Sequence, residues 1–301
     1  MGVKGRSRGR RTAAGVAAAL ALATAAACSG GGDGDAPGAG DAAASARPAP
    51  SPASDWDTSP DSVAAIGDSI TTGFDTCSLL ADCPEASWAT GTAPEVDSLA
   101  DRLLGDPSGR VWNHAAAGAK MADLPEQAAR AAAHDPALVT VLIGANDACG
   151  ASVARMTPTE QFRADFTEAM ETLRREAPDT QVYVASVPDL MRLWSVGRES
   201  VVAARVWQLG ICPSMLRDPA AVDPTAAERR ERVAERVDEY NTVLREVCAA
   251  DEHCRHDGGA VHDYRFSAEE LSPWDWFHPS RSGQRVLAEL AFRHVTAPQA
   301  P

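Results

Sequence analysis

From residue 61 onward the chain alternates short apolar runs with longer amphipathic stretches. Residues 62–66 are mostly apolar and stop at Gly67, which predicts a strand. Residues 110–114 predict a second. Residues 137–143 (ALVTVLI) are continuous and β-branched, the pattern of a strand buried on both faces. Residues 181–187 (QVYVASV), closed by Pro188, predict a fourth strand, and residues 260–262 a short fifth. After Thr157-Pro158, the residues Phe162, Phe166, Ala169 and Leu173 recur on one helical face, and Pro178 ends that helix. Val233, Val237, Tyr240, Leu244 and Val247 give residues 225–250 the same period, and Val286, Leu287, Leu290 and Ala291 give it to 281–294. Strands alternating with helices predict an α/β domain whose parallel sheet is covered on both faces. No repeat or break in composition divides 61–297, so one domain is expected there. In such sheets ligands bind outside the carboxyl ends of the strands.

The first 60 residues read differently. Lys4, Arg6, Arg8, Arg10 and Arg11 precede an almost uninterrupted apolar run at 13–27 that is too short for a convincing membrane span. A basic start, an apolar centre and small residues predict an export signal over 1–27. The run ends Ala25-Ala26-Ala27-Cys28-Ser29-Gly30, which resembles a bacterial lipoprotein box with Cys28 as the lipidated residue; Ala25 departs from the large aliphatic usual there. Ordinary secretion with an unmodified Cys28 is the alternative. Residues 28–60 are Gly, Ala, Pro, Ser and Asp with little apolar bulk, the composition of a disordered tether.

The chain has seven cysteines, and assigning Cys28 to lipid leaves an even set. In an exported protein these are expected as disulfides. Local pairing predicts Cys77–Cys83 and Cys248–Cys254, leaving Cys149–Cys212, where a bridge would brace the loop after Asn146. Cys248, His253, Cys254, His256 and His262 also crowd together as zinc ligands would, but their spacing fits no familiar zinc pattern. The formal net charge is −14, and loss of the leader cations makes the remainder more acidic still, which argues against a nucleic-acid partner.

Four blocks carry candidate chemistry, each at a predicted strand end or beside the last helix. The first strand ends Gly67-Asp68-Ser69; a serine there sits at the sheet edge, although Asp68 or Ser69 could equally serve as a helix cap. The G-x-S-x-G elbow is not met, because position 71 is Thr. Gly118 follows the second strand and Asn146-Asp147 the third, positions suited to donating N–H groups to an anion or to making turns. Asp275 and His278 stand three residues apart ahead of Pro279 and the last helix, a spacing that would put a carboxylate on an imidazole.

In this order the blocks resemble the SGNH (GDSL) hydrolase family across residues 61–297. The resemblance implies a three-layer α/β/α sandwich similar to flavodoxin, with no metal or cofactor. It implies Ser69 as nucleophile, His278 as general base and then acid, and Asp275 as the orienting acid. The oxyanion hole would comprise the N–H of Ser69, the N–H of Gly118 and the side chain of Asn146. Asp68 and Asp147 belong to the blocks but transfer no proton in this scheme, and are expected to be structural. Residues 111–115 with Lys120, and 186–190, look like the phospholipase-B-like branch, which implies lipid acyl esters. Trp274, Trp276 and Phe277 would line an acyl pocket or pack in the core, and Trp194 and Trp207 carry the same alternatives. The expectation is therefore an exported serine esterase of lipid or small acyl esters, acting as a monomer and held at a membrane surface if Cys28 is lipidated. A carbohydrate or cell-wall O-acetylesterase and a non-catalytic surface-binding lipoprotein are the alternatives.

Overall fold

The computed structural model describes residues 56–298. The predicted export signal, Cys28 and most of the tether lie outside the described residues. Five strands alternate with helices: β1 (Val63–Gly67), α1 (Ser69–Thr72), α2 (Leu99–Leu104), β2 (Val111–Asn113), α3 (Leu124–Ala132), β3 (Leu138–Leu142), α4 (Ala145–Ala148) and α5 (Thr159–Glu176). They continue with β4 (Gln181–Val184), α6 (Leu190–Gly197), α7 (Val201–Trp207), α8 (Pro213–Leu216), α9 (Pro224–Ala249), β5 (Cys254–His256), α10 (Ala260–Asp263) and α11 (Arg281–Val295).

The sheet is parallel throughout, in the order β2-β1-β3-β4-β5. Val63 pairs with Val111 on one side and Leu138 on the other. β1, β3 and β4 are buried along their whole length, and their side chains divide between two cores. Ala64, Ile66, Val139, Val141, Val182 and Val184 pack under α3, α5 and α9. Val63, Ala65, Leu138, Leu142 and Tyr183 pack under α2 and α11. This three-layer sandwich is what continuous apolar strands require, since neither face can meet water.

The fifth strand is not where its pattern was expected. Residues 260–262 form the one-turn helix α10, and the edge strand is Cys254–His256. An edge strand of sequence Cys-Arg-His shows no apolar run, because it has a single sheet neighbour and its Arg255 reaches out to the His294 and Ala297 carbonyls. The folded body also begins before Asp61. Trp56 donates its indole N–H to Val295 O at 2.8 Å and stacks against Arg255, so the last tether residues lie on the domain.

The chain leaves β1 for β2 on one side and then crosses to β3 on the other. The carboxyl ends of β1 and β3 therefore flank a switch point, where an α/β sheet opens a crevice.

Candidate active site

The end of β1 is held by contacts only glycine permits. Gly67 has φ +147°, and a Cβ there would lie 2.2 Å from Leu142 O of β3. Gln127 of α3 clamps the same residue, accepting Gly67 N–H at 2.7 Å and donating to Gly67 O at 3.0 Å. The next residue, Asp68, caps α1 by accepting Ile70 N–H at 2.9 Å, which leaves Ser69 as the first helical residue. Gln284 of α11 donates to Ile70 O at 2.8 Å and fixes α1 from the opposite layer. Ser69 is thus on a rigid mount at the sheet edge, and only 6% exposed.

His278 comes to Ser69 from a loop pinned at both ends. Leu271 and Pro279 form an antiparallel bridge, and Ser272 N–H donates to His278 O at 2.8 Å. Within the loop Trp276 is left-handed, φ +56°, a conformation costly for a bulky residue. That turn lets Asp275 fold back on His278. His278 Nε2 lies 2.8 Å from Ser69 Oγ, and Nδ1 lies 2.5 Å from Asp275 Oδ2. Asp275 Oδ1 accepts the backbone N–H groups of Phe277 and His278 at 2.9 and 3.0 Å. Burial would raise the Asp275 pKa, but the hydrogen bond and charge of His278 and these two N–H groups outweigh it, and the carboxyl is held below its ordinary value. Trp207 of α7 donates its indole N–H to Asp275 O at 3.1 Å, so this buried tryptophan braces the acid.

The other two blocks meet at the same edge. Ala119 N–H donates to Ala116 O, closing a turn in which Gly118 is third, with φ +80°. That is the glycine position of a type II turn. A Cβ on Gly118 would meet nothing within 4 Å, so the backbone angle and not crowding demands glycine. Asn146 stands in α4, directly after β3, and its Nδ2 donates to Ala119 O at 3.0 Å, tying the two blocks together. Among the described residues, neither Ser69 N–H nor Gly118 N–H donates to a protein acceptor.

Six cysteines form the disulfides Cys77–Cys83, Cys149–Cys212 and Cys248–Cys254. The second ties the end of α4 to α8, where Ser214 Oγ also donates to Ala148 O. The third consumes two thiols of the zinc reading. His262 Nδ1 is engaged with Val187 O and Asn241, and His256 Nδ1 accepts Gly258 N–H.

The aromatic candidates separate. Trp274 is exposed, Trp276 packs at the core margin, and Trp194 lies against Arg198 and Arg230 while donating to Pro219 O. Phe277 alone of the group lines an apolar pocket. Ile70, Leu190, Leu193, Phe266 and Leu271 complete most of its apolar wall. Ile70 and Phe277 are chain neighbours of Ser69 and His278, so the pocket adjoins the serine.

The sequence profile of the GDSL-like lipase/acylhydrolase family matches residues 63–291. The chain belongs to this family. It is an ester-hydrolysing enzyme, and its parallel sheet is covered by helices on both faces. A catalytic mutant of an acetylxylan esterase from Geobacillus stearothermophilus is similar in fold, with TM-score 0.50 and 17% identity over 79% of this chain and 94% of that one. The psychrotrophic esterase EstA from Pseudoalteromonas sp. aligns with TM-score 0.43 and 12% identity over 76% of this chain and 93% of that one. Among curated protein sequences, none matches the chain.

Residues outside the sequence blocks complete the site. Gln127, Gln284 and Trp207 are each buried and hydrogen-bonded to a segment that carries a block residue. For Gln127 a signal existed: it lies on the face of α3 that carries Leu124, Ala128 and Ala131, a polar residue where the period calls for an apolar one.

Proposed function

We propose that this GDSL-family enzyme is an exported serine esterase in which Ser69, His278 and Asp275 act as nucleophile, general base and orienting acid, on carboxylic esters with an apolar acyl group. The observation that carries the reading is the unbroken hydrogen-bond chain from Ser69 Oγ through both His278 nitrogens to Asp275.

In this mechanism His278 Nε2 takes the Ser69 proton as Oγ attacks the ester carbonyl. The Nδ1 proton stays on His278, facing Asp275 Oδ2, and the imidazolium is stabilised there. The carbonyl oxygen, now an oxyanion, receives the N–H groups of Ser69 and Gly118 and the second Nδ2 proton of Asn146, whose first is occupied by Ala119 O. His278 protonates the leaving alcohol, leaving the acyl group on Ser69. Water, deprotonated by the same nitrogen, then releases the acid. The pocket of Ile70, Leu193 and Phe277 supports an acyl chain longer than acetyl, because burying each methylene in such a wall contributes about 0.8 kcal/mol.

Asn146→Ala is expected to lower kcat about 10²-fold with KM nearly unchanged, since the donor it removes acts on charge that develops only in the transition state.

The disulfides and the basic, apolar leader support export, and Cys28 supports a lipid anchor. Intact mass of the mature protein, with or without a diacylglyceryl group, tests the anchor.

The test of the function is a p-nitrophenyl ester series from acetate to palmitate, together with a fluorophosphonate probe located by peptide mass spectrometry. Labelling of Ser69 and a rate optimum beyond acetate are expected. A rate confined to acetate would shift the reading to an O-acetylesterase. Labelling at any other residue would refute the Ser69 assignment.

A further inference from the structure

The loop following α1 brings a second carboxyl group to the site. Asp75 is 1% exposed and Asp275 is 2% exposed. One oxygen of Asp75, one of Asp275 and a ring nitrogen of His278 all lie within 4.8 Å of one another. Asp75 is fixed as firmly as the residues it faces. Its N–H donates to Ala81 O, its Oδ1 accepts Leu80 N–H, and its carbonyl accepts the Ser272 hydroxyl at 2.6 Å. Thr76 Oγ1 donates to Pro279 O, and the Cys77–Cys83 disulfide closes the loop. The loop that holds Asp75 is therefore sewn to the segment that holds Asp275 and His278.

Two buried carboxyl groups this close cannot both ionise cheaply, so one keeps a proton. Asp275 has three N–H donors, one from His278 and two from the backbone, and these favour its charged form. Asp75 has one.

Resting on the assignment of Ser69, His278 and Asp275 as the reacting set, we propose that Asp75 is a positioning residue: it holds a proton and donates it to the Asp275 carboxylate, locking that carboxylate against His278. No bond to substrate is involved, and the proton stays on Asp75 through turnover. Burial raises the Asp75 pKa first, and the neighbouring Asp275 raises it further, against the lowering effects of Leu80 N–H and His278. The other charged groups around the loop are engaged elsewhere. Asp82 accepts the Thr72 hydroxyl, Asp68 caps α1, and Arg281 pairs with Glu95 at 3.0 Å. Raising the pH until Asp75 ionises removes the donor and puts a second negative charge beside Asp275.

Asp75→Asn keeps the shape, the acceptor for Leu80 N–H and a donor toward Asp275, and asparagine tolerates the left-handed φ of +54° found here. Its kcat is expected within about threefold of the parent near neutrality, while the alkaline step that Asp75 adds to the parent's pH profile disappears. Asp75→Ala is expected to lose about 10- to 100-fold, the worth of one hydrogen bond to a charged group. An infrared difference spectrum, parent minus Asp75→Asn, should show the C=O stretch of a protonated carboxylic acid. If Asp75→Asn were as impaired as Asp75→Ala with the fold intact, Asp75 would be acting as an anion and the proposal would fail. It would fail equally if Asp75→Ala kept full activity, or if the infrared band were missing. The spectrum reads the proton without turnover, so it remains decisive if Asp75→Ala does not fold. A parent that hydrolyses no ester and takes no fluorophosphonate at Ser69 would instead overturn the esterase reading beneath it.

Discussion

Asp275→Asn, assayed on any ester the enzyme turns over, is expected to lower kcat by about 10⁴-fold without unfolding the protein. The size of the effect follows from how the carboxylate is used. Asp275 Oδ1 accepts the N–H groups of Phe277 and His278, and Oδ2 accepts from His278 Nδ1. An asparagine has one oxygen for these two duties. Facing its oxygen to the two backbone donors satisfies two buried groups, so that rotamer is preferred. The NH₂ group then points at His278 Nδ1, which must give up its proton to become an acceptor. The remaining proton moves to Nε2, the nitrogen that receives the Ser69 proton in the proposed mechanism. The histidine is left in the wrong tautomer, with all distances intact. Far-UV circular dichroism and the thermal midpoint should change little, while single-turnover acylation slows. A loss of less than about tenfold would show that loop packing alone orients His278, and that the Asp275 charge is dispensable.

The parts of this architecture that could be read from the chain are those with one dominant cause. β1, β3 and β4 are buried on both faces, so composition alone betrays them. α5, α9 and α11 each cover one face of the sheet and show the helical period. β5 escapes the apolar pattern because an edge strand of Cys-Arg-His is stabilised by one ladder and by side-chain contacts of Arg255, not by apolar burial. The same division holds at the site. Ser69, Gly118, Asn146, Asp275 and His278 lie in blocks whose order is informative. Gln127, Trp207, Gln284 and Asp75 act across sequence separations of 60, 68, 214 and 197 residues, and apart from the polar break that Gln127 makes in an apolar helix face, nothing local distinguishes them. Asp75 in particular sits in a stretch, Gly73-Phe74-Asp75-Thr76, that reads as an ordinary turn. Its burial is created by the segment carrying Asp275 arriving from the other end of the chain.

Asp68→Asn is expected to stabilise the protein above pH 7 and to leave it slightly less stable at pH 4. Asp68 is 1% exposed, its Oδ2 has no hydrogen-bond partner, and burial raises its pKa from 3.8 to about 7, with the charge of Asp147 adding and Ile70 N–H and His278 opposing. The sign is the reverse of the usual carboxylate case. Between about pH 4 and pH 7 the folded protein holds a proton at Asp68 that the unfolded chain has released. Stability therefore falls as pH rises through that window, and is lowest above the folded pKa. Raising the pKa from 3.8 to about 7 corresponds to about 4 kcal/mol. Asp147, raised to about 6 chiefly by burial, contributes in the same direction over a narrower range. Asparagine at position 68 keeps the cap to Ile70 N–H, because its Oδ1 replaces the carboxylate oxygen that makes it. Its NH₂ group brings one more unpartnered N–H than the O–H of the neutral acid, so at low pH the exchange costs about 1 kcal/mol. At pH 8 the parent must bury an anion and the variant does not. Urea unfolding under non-reducing conditions at pH 4 and pH 8 measures the difference directly. A variant that is less stable than the parent at pH 8 would mean that Asp68 is ionised and favourably paired in the fold. The cost has a functional reading under the proposed esterase mechanism, because Asp68 is the chain neighbour of Ser69, whose N–H would there be offered to the oxyanion. Below its folded pKa of about 7, a neutral Asp68 would keep a fixed negative charge away from the place where the oxyanion would form.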